Sequence, residues 1–414
     1  MSEPIKFRVR NALAALEVTP GVDVIPSATD AILLRNWDVT RKYEMVKRGN
    51  VKAHLGADQE LVAATYFEAT GEVELAGSGT QGTAPAWGKL LLACSYAETT
   101  VSGTARIQTS PPAKTTGTGT FTYTKTTAPT NTLPRMVTLT CTTGGGSGTA
   151  AFTVSAPATS VDTAYSATGQ VMTDATPFPL CNSAVITPTV GTAFVSGDVF
   201  TIKQMPAHVY YTLVSDAFSS LSCYAHHSKR KHRLLMMRGN AVIAQDSKVV
   251  PVAKLTMQAL DGGITHESAA PSVELVAWKE PVVVNAANTS LTTIHGHDNP
   301  TYAFSFDAGA TVKYVNNAGD ERISITDRDG KGSVTIQDPL LSDVDYFSIA
   351  KAVTLGGLNI IHGTVPGNII EIQSTQAQLK NPKTVDKDGD SALQMDIGFV
   401  PSSSGNDEIK ILVY

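Results

Sequence analysis

The chain has 414 residues, a formal net charge of -5, 42% hydrophobic and 17% charged residues. That length exceeds the usual ceiling of about 250 to 300 residues for one core, so two or three domains are expected. A pI near 6.0 argues against affinity for nucleic-acid phosphate driven by counterion release, and the lack of any apolar run of about 18 residues excludes a membrane-spanning helix.

In chain order, the N-terminal MSEPIKFRVRNALAALEV carries basic residues but only a brief apolar patch at Ala12 to Leu16, too short for a secretory signal. A long hairpin is expected over Val39 to Tyr66, with Lys47, Arg48, Gly49 and Asn50 near its turn. Gly71 to Ala97 reads as strand, turn and helix. Val73 and Leu75 alternate, then Trp87, Leu90, Leu91 and Cys94 recur at helical spacing, which predicts a helix over Pro85 to Tyr96. Gly77, Gly79 and Gly82 between them match GxGxxG, the local context of a dinucleotide fold. Beyond the helix the chain turns to Thr/Ser-rich β sequence rather than a second hydrophobic parallel strand. The glycines are therefore read as a flexible turn, with Thr83 or nearby residues capping a helix that has Pro85 in its first turn.

From Ser102 to about Gln204 the composition shifts to Thr, Gly, Ser and Ala with few charges, in short runs broken by Gly, Pro and Asn; this predicts a small all-β insert. Cys94, Cys141, Cys181 and Cys223 share no ligand-like or disulfide-like spacing, as expected of a protein folded in a reducing cytoplasm. A Cys141 to Cys181 staple inside the insert is the alternative. His226, His227 and His232 lie among Lys229, Arg230, Lys231 and Arg233, the densest basic cluster, which invites reading as a nucleic-acid site or targeting signal. Leu221, Cys223, Leu234 and Met236 alternate around it, so the turn of a β-hairpin is favoured, its charges meeting an acidic surface on a neighbouring subunit.

His295, His297 and Asp298 are close enough to hold a metal but lack a third strong ligand nearby, and read as a loop. A second long hairpin is expected over Tyr302 to Ile325, turning at Asn316, Asn317 and Gly319 beside Asp320 and Glu321; Asp327, Asp329 and Gly330 read as another hairpin turn. Gly332 to Val353 then repeats strand, turn and helix, with Val334 and Ile336 alternating and Phe347, Ile349, Ala350 and Val353 forming a stripe over Tyr346 to Val353. Asp386, Asp388 and Asp390 start like a calcium loop, but the count reaches Ala392 and Ile397 where ligands are needed, so a polar turn is favoured. No nucleophile and base can be assembled on spacing, and no catalytic, cofactor-binding or metal-binding residue is assigned. The closing segments RGNAVIAQ at Arg238 and PGNIIEIQ at Pro366 read as a matching pair. One programme thus runs twice, which predicts a ring or array with twice the subunit symmetry.

The run TGEVELAGSGTQGTAPAWGKLLLACSYAET resembles the strand and helix of major tail tube proteins from long, noncontractile-tailed bacteriophages. The stretch LGGLNIIHGTVPGNIIEIQSTQAQLKNPKTVDKDGDSALQMDIGFVP is similar to that family's closing strands, where a Gly-Asn turn leads to a final hairpin. The resemblance covers most of residues 1 to 100 and 208 to 414. It implies a mainly β chain: two tandem tail-tube β-sandwich or barrel domains, each with a flanking helix, plus an inserted small all-β domain. Residues 1–102 and 207–270 would form tube domain 1, 103–206 the insert and 271–414 tube domain 2.

The same resemblance implies a structural virion protein of the tail rather than an enzyme, assembled in the bacterial host cytoplasm. Its rings would join edge to edge and stack into a tube with a polar or acidic lumen. DNA and ejected proteins would transit without specific binding, and a tape-measure protein and tail-end proteins would be partners. The two hairpins would link rings, Lys47 and Arg48 in one complementing Asp320 and Glu321 in the other. The helices would lie outside the barrel with Trp87, Leu90, Leu91, Phe347, Ile349 and Val353 as core. A sixfold tube built from two domains per chain needs three chains, so a trimeric ring with pseudo-sixfold symmetry is expected, with a hexamer as the rival. A tail terminator, baseplate or other single-ring tail component is the nearest alternative. A secreted adhesin lacks an export signal, and an oxidoreductase needs nicotinamide binding.

Overall fold

The structure is a computed structural model that describes residues 9–51, 53 and 55–414; residues 1–8, most of the basic N-terminal stretch, lie outside the described residues. Strands take up 54% of the chain and helices 4%, so the regular backbone hydrogen bonding is almost wholly between strands. Any edge left open is then a row of unpaired donors and acceptors.

The first half contains β1 (Arg10–Leu16), β2 (Ala31–Ile32), β3 (Arg35–Val46), β4 (Leu61–Glu74), α1 (Gly88–Leu92) and β5 (Tyr96–Val101). The insert holds β6 (Ala113–Thr116), β7 (Thr120–Thr127), β8 (Arg135–Thr143), β9 (Ala151–Ala156), β10 (Tyr165–Val171), β11 (Phe178–Pro179), β12 (Val185–Thr192) and β13 (Val199–Gln204). The first half then resumes with β14 (His208–Leu213), β15 (Leu221–His227), β16 (Arg230–Asp246) and β17 (Val252–His266). The second half, which shares the main sheet with the first, comprises β18 (Thr289–Ile294), β19 (His297–Asp298), β20 (Thr301–Asp307), β21 (Ala310–Asn317), β22 (Asp320–Arg328), β23 (Lys331–Gln337), α2 (Tyr346–Lys351), β24 (Leu355–His362), β25 (Ile370–Lys387), β26 (Asp390–Phe399) and β27 (Lys410–Val413).

Both halves have the same antiparallel strand order. In the first it is β1-β15-β16-β17-β4-β3. In the second it is β18-β24-β25-β26-β23-β20. The registers coincide as well: Val252 at the start of β17 faces Glu74 at the end of β4, and Ala392 near the start of β26 faces Gln337 at the end of β23. On this alignment β16 corresponds to β25. Gly239 therefore sits inside β16, donating its N–H to Ala93 O at 3.0 Å, whereas Gly367 lies in the loop before β25. The two Gly-Asn pairs are not equivalent positions, which corrects the matching pair expected from the sequence.

Alternation places the core. In β4, Phe67, Ala69 and Val73 are buried, and the intervening Glu68, Thr70 and Glu72 lie on the opposite face. One apolar cluster runs through both halves, including Phe67, Trp87, Ile243, Phe304, Ile336 and Ile411. Each fully buried side chain of this size contributes roughly 1.5–3 kcal/mol relative to exposure.

The insert has its own sheets, β10-β9-β8-β13-β6 and β11-β12-β7, and its own core, in which Phe152 meets Phe194 edge-on at 4.9 Å. It is spliced into the tip of the β5·β14 hairpin, where Val101 faces His208. Asp198 holds one of its turns. Burial pushes this carboxyl's pKa up, but backbone N–H groups of Val195, Gly119 and Thr118 outweigh that and leave it below the ordinary range. The Cys141 to Cys181 staple does not form; all four cysteines are free and buried, with Cys181 Sγ against Gln204 Oε1 at 3.3 Å.

The helices are shorter than expected. α1 spans Gly88–Leu92 instead of reaching Tyr96, and Ser95, at φ 63, turns the chain into β5. Its stripe is core as expected: Trp87, Leu90, Leu91 and Cys94 are buried, and Trp87 Nε1 donates to Ala76 O at 2.7 Å. α2 ends at Lys351, capped at its start by Asp345, which accepts the Ser348 N–H at 2.9 Å. Here the stripe reading fails. Phe347 is 42% and Val353 58% exposed, with only Ile349 and Ala350 packed against the core, because one and a half turns present too short a face to bury all four.

Candidate assembly interface

The two halves share one sheet. The last residues of β16 pair with β20 through Val242↔Asp307, Ile243↔Phe306, Ala244↔Ser305, Gln245↔Phe304 and Asp246↔Ala303. Asn240 Nδ2 reinforces the joint by donating to Asp307 Oδ1 at 2.6 Å. Strands consequently run in the order β3-β4-β17-β16-β20-β23-β26-β25, four from each half. One face of this sheet packs on the core. The other carries Glu68, Thr70 and Glu72, then Lys254, Thr256 and Gln258, then Ser333, Thr335, Gln394 and Asp396, with Val242 and Ala244 of β16 among them, a mostly polar surface set by strand alternation.

Both ends of that sheet are open. Among the described residues β3 pairs only with β4, and beyond Gln378 β25 pairs only with β26. Most residues of these edges are exposed, whereas those of the internal joint are buried or half-buried except Asp246. Pro382 lies in the open stretch of β25, where its missing N–H costs no ladder bond within the chain. Both edge strands carry mixed charge: Lys380, Lys383 and Lys387 with Asp386 on the open stretch of β25, and Arg35, Arg41 and Lys42 with Asp38 and Glu44 on β3.

A hairpin arm extends from each half. Asp329 and Gly330 are not a hairpin turn. They oppose Ala308 and Gly309 at a kink, where Gly309 at φ 65 accepts the Asp329 N–H at 3.4 Å and the β21·β22 arm leaves the sheet. This arm lies on the first half. Tyr314 stacks on Tyr66 at 4.6 Å, and Arg238 Nη1 donates to Ile323 O at 2.9 Å while its other nitrogens bind Phe218 O and Ser219 O. Asn316, Asn317, Gly319, Asp320 and Glu321 form its exposed tip; Asp320 pairs with Arg322 and Glu321 accepts from Tyr314 Oη at 2.7 Å. Both carboxylates are thus engaged within their own hairpin. In the other arm, between β3 and β4, Lys47, Arg48, Gly49 and Asn50 are all exposed; Lys47 Nζ is 3.9 Å from Glu60 and the Asn50 N–H meets Asp58 Oδ2 at 3.1 Å. This arm leaves Tyr43, Met45, Val46, Leu61 and Val62 uncovered, whereas Ile323 and Ile325 on the docked arm are buried.

The remaining motifs have structural roles. Gly77 donates its N–H to Asn368 Oδ1 at 2.6 Å, and Gly79 donates to Gly367 O at 2.9 Å, so the GxGxxG run ties the halves together by close backbone approach. A Cβ on Gly77 would sit 2.1 Å from Gly367 O. The basic cluster does form a β15·β16 hairpin turn, but Lys231 and His226 pair with Glu267 of the same chain. His227 and His232 stack at 5.4 Å; burial first, then neighbouring cationic groups, lowers His232 to about 4. His295 Nε2 lies 3.0 Å from Ala377 O, and Asp298 accepts from Thr293 Oγ1 at 2.9 Å. Asp388 and Gly389, both at positive φ, make the β25·β26 turn, with the Gly389 N–H on Asp386 Oδ1 at 2.8 Å. Among the described residues no group of three or more His, Cys, Asp or Glu is placed to hold a metal ion, and no helix is long and apolar enough to cross a membrane. A cavity of about 510 Å³ opens beside the internal joint, with Asp298 the only carboxylate among the described residues in its lining.

No family model matches the chain, and no curated protein matches it.

Proposed function

We propose that the chain is a structural subunit that polymerises into stacked rings forming a bacteriophage tail tube. The observation that carries this reading is the continuous sheet to which each half contributes four strands and which stops at two open edges. Open edges of this length are an aggregation hazard in a monomer and a closing device in a ring. Three copies would bring three times eight strands into one closed barrel, with the polar face toward the lumen and the apolar core behind it. A polar, partly acidic lining lets DNA pass because like charge repels phosphate and water fills the gap. The insert, on a hairpin away from the sheet's open edges, projects from such a ring as a peripheral domain.

On this reading the protein belongs in the virion tail, with a tape-measure protein and tail-end proteins as its other partners. Negative-stain electron microscopy of the purified chain tests it. Hollow tubes with a regular axial repeat are expected. Rings that never stack would move the protein to the single-ring tail components, and isolated monomers at every concentration would overturn the reading.

A further inference from the structure

Resting on that reading, we propose that the open stretch of β25 in one copy pairs with the open edge of β3 in a second copy, in the register of the internal β16·β20 joint. The repeat fixes the register. Ala244 faces Val252 and Val385 faces Ala392, and these two partners are equivalent, so Val385 corresponds to Ala244. Likewise Asp38 faces Thr70 and Ser305 faces Ser333; those partners lie four residues before Glu74 and Gln337, so Asp38 corresponds to Ser305. Because Ala244 faces Ser305 inside the chain, Val385 faces Asp38 between chains, and Lys383 faces Thr40.

One local charge contact agrees with that register; of the cationic groups on β3, Lys42, the other diagonal neighbour of Lys383, is paired with Glu68 at 3.2 Å. Asp38 then lies between Lys383 and Lys387, two residues to either side of Val385 on the same face, within diagonal cross-strand reach of about 7–8 Å. Neither lysine has an ion pair among the described residues; Asp38 accepts from the Thr40 hydroxyl at 3.3 Å and acts electrostatically on His227. The joint pairs two different edges, so it is head-to-tail and closes into a ring. The arm follows from the same geometry. The β21·β22 arm emerges from β20 and lies on the half that β20 joins, so the β3–β4 arm lies on the neighbour's second half and covers its exposed Tyr43, Met45 and Val62 there.

The test is disulfide trapping in the full chain. Asp38→Cys with Val385→Cys is expected to link most chains into covalent oligomers that end at a closed ring, while either single variant gives none. Ala244→Cys with Ser305→Cys, the internal equivalent, is expected to close within one chain and serves as the geometric control. The four native cysteines are buried and do not compete. Tubes that form without the Asp38 to Val385 link, while the control closes, would overturn the register and leave the tube reading standing. The link without tubes would support the joint and sink the tube reading. Neither tubes nor link would overturn the joint.

Discussion

Replacing Arg238 with Met removes one of two guanidiniums that fasten the β21·β22 arm to the first half, the other being Arg328 on Val214 O at 2.6 Å at the arm's base, while keeping the apolar stem. Of its three carbonyl partners only Ile323 O belongs to the arm; Phe218 O and Ser219 O belong to the loop before β15. A hydrogen bond from a charged donor contributes about 1.5–3 kcal/mol. The Tyr66–Tyr314 stack, about 0.5–1.5 kcal/mol, remains. At 1.4 kcal/mol per tenfold, undocking of the arm rises roughly ten- to 150-fold. A lone two-stranded hairpin is marginal in water, so each undocking exposes its amides. Hydrogen exchange over Ala310–Asn317 and Asp320–Arg328 reads this directly, with amides of β23 as the internal reference. Exchange of the arm unchanged within about twofold would refute the assignment of Arg238 as one of its anchors.

Gly77→Ala drives a methyl into Gly367 O and is expected to destabilise by roughly 2 kcal/mol or more, read as a lower thermal midpoint; a neutral result would contradict the close approach of the two loops. Phe152→Ala hollows only the insert's core, costing about 3–5 kcal/mol there; calorimetry is expected to show one transition shifted and the main one unmoved, and a concerted shift would contradict two separate cores. His232 is held below its ordinary pKa by burial, so the unfolded chain takes up its proton first: stability is full above about pH 6.5 and falls as pH drops toward 4. His232→Gln is expected to flatten part of that decline in denaturation at pH 7.5 against pH 5, and an unaltered slope would be inconsistent with a buried neutral ring. Deleting residues 103–204 rejoins β5 to β14 where Val101 already faces His208, and tubes are expected to assemble; loss of all assembly would defeat the peripheral placement.

Much of the mainly β fold was legible because side-chain alternation is a local signal. Val73 and Leu75, and Val334 and Ile336, marked strands that lead into helices in both halves, and the shift to Thr and Gly marked the insert's strands. Partners distant in sequence were not legible. Nothing local in RGNAVIAQ shows that β16 leaves β15 and takes β20, and a Gly-Asn pair looks the same inside a strand as in a loop. The same limit applies to GxGxxG, whose first glycine, Gly77, is required by Gly367 almost three hundred positions away. Asp329 and Gly330 carry turn chemistry but serve a kink, since the chain there continues alongside Gly309 rather than reversing. The α2 stripe failed because spacing gives a face but not how much of it a short helix covers: Phe347 and Val353 are open.

The central claim, that the chain's open sheet edges find their partners on other copies, is tested most directly by the mass of assemblies released from purified tubes. Rings of three copies, about 131 kDa from a 43.6 kDa chain, are the expected result. Rings of six copies, or only free chains, would contradict a barrel to which every copy contributes both of its halves.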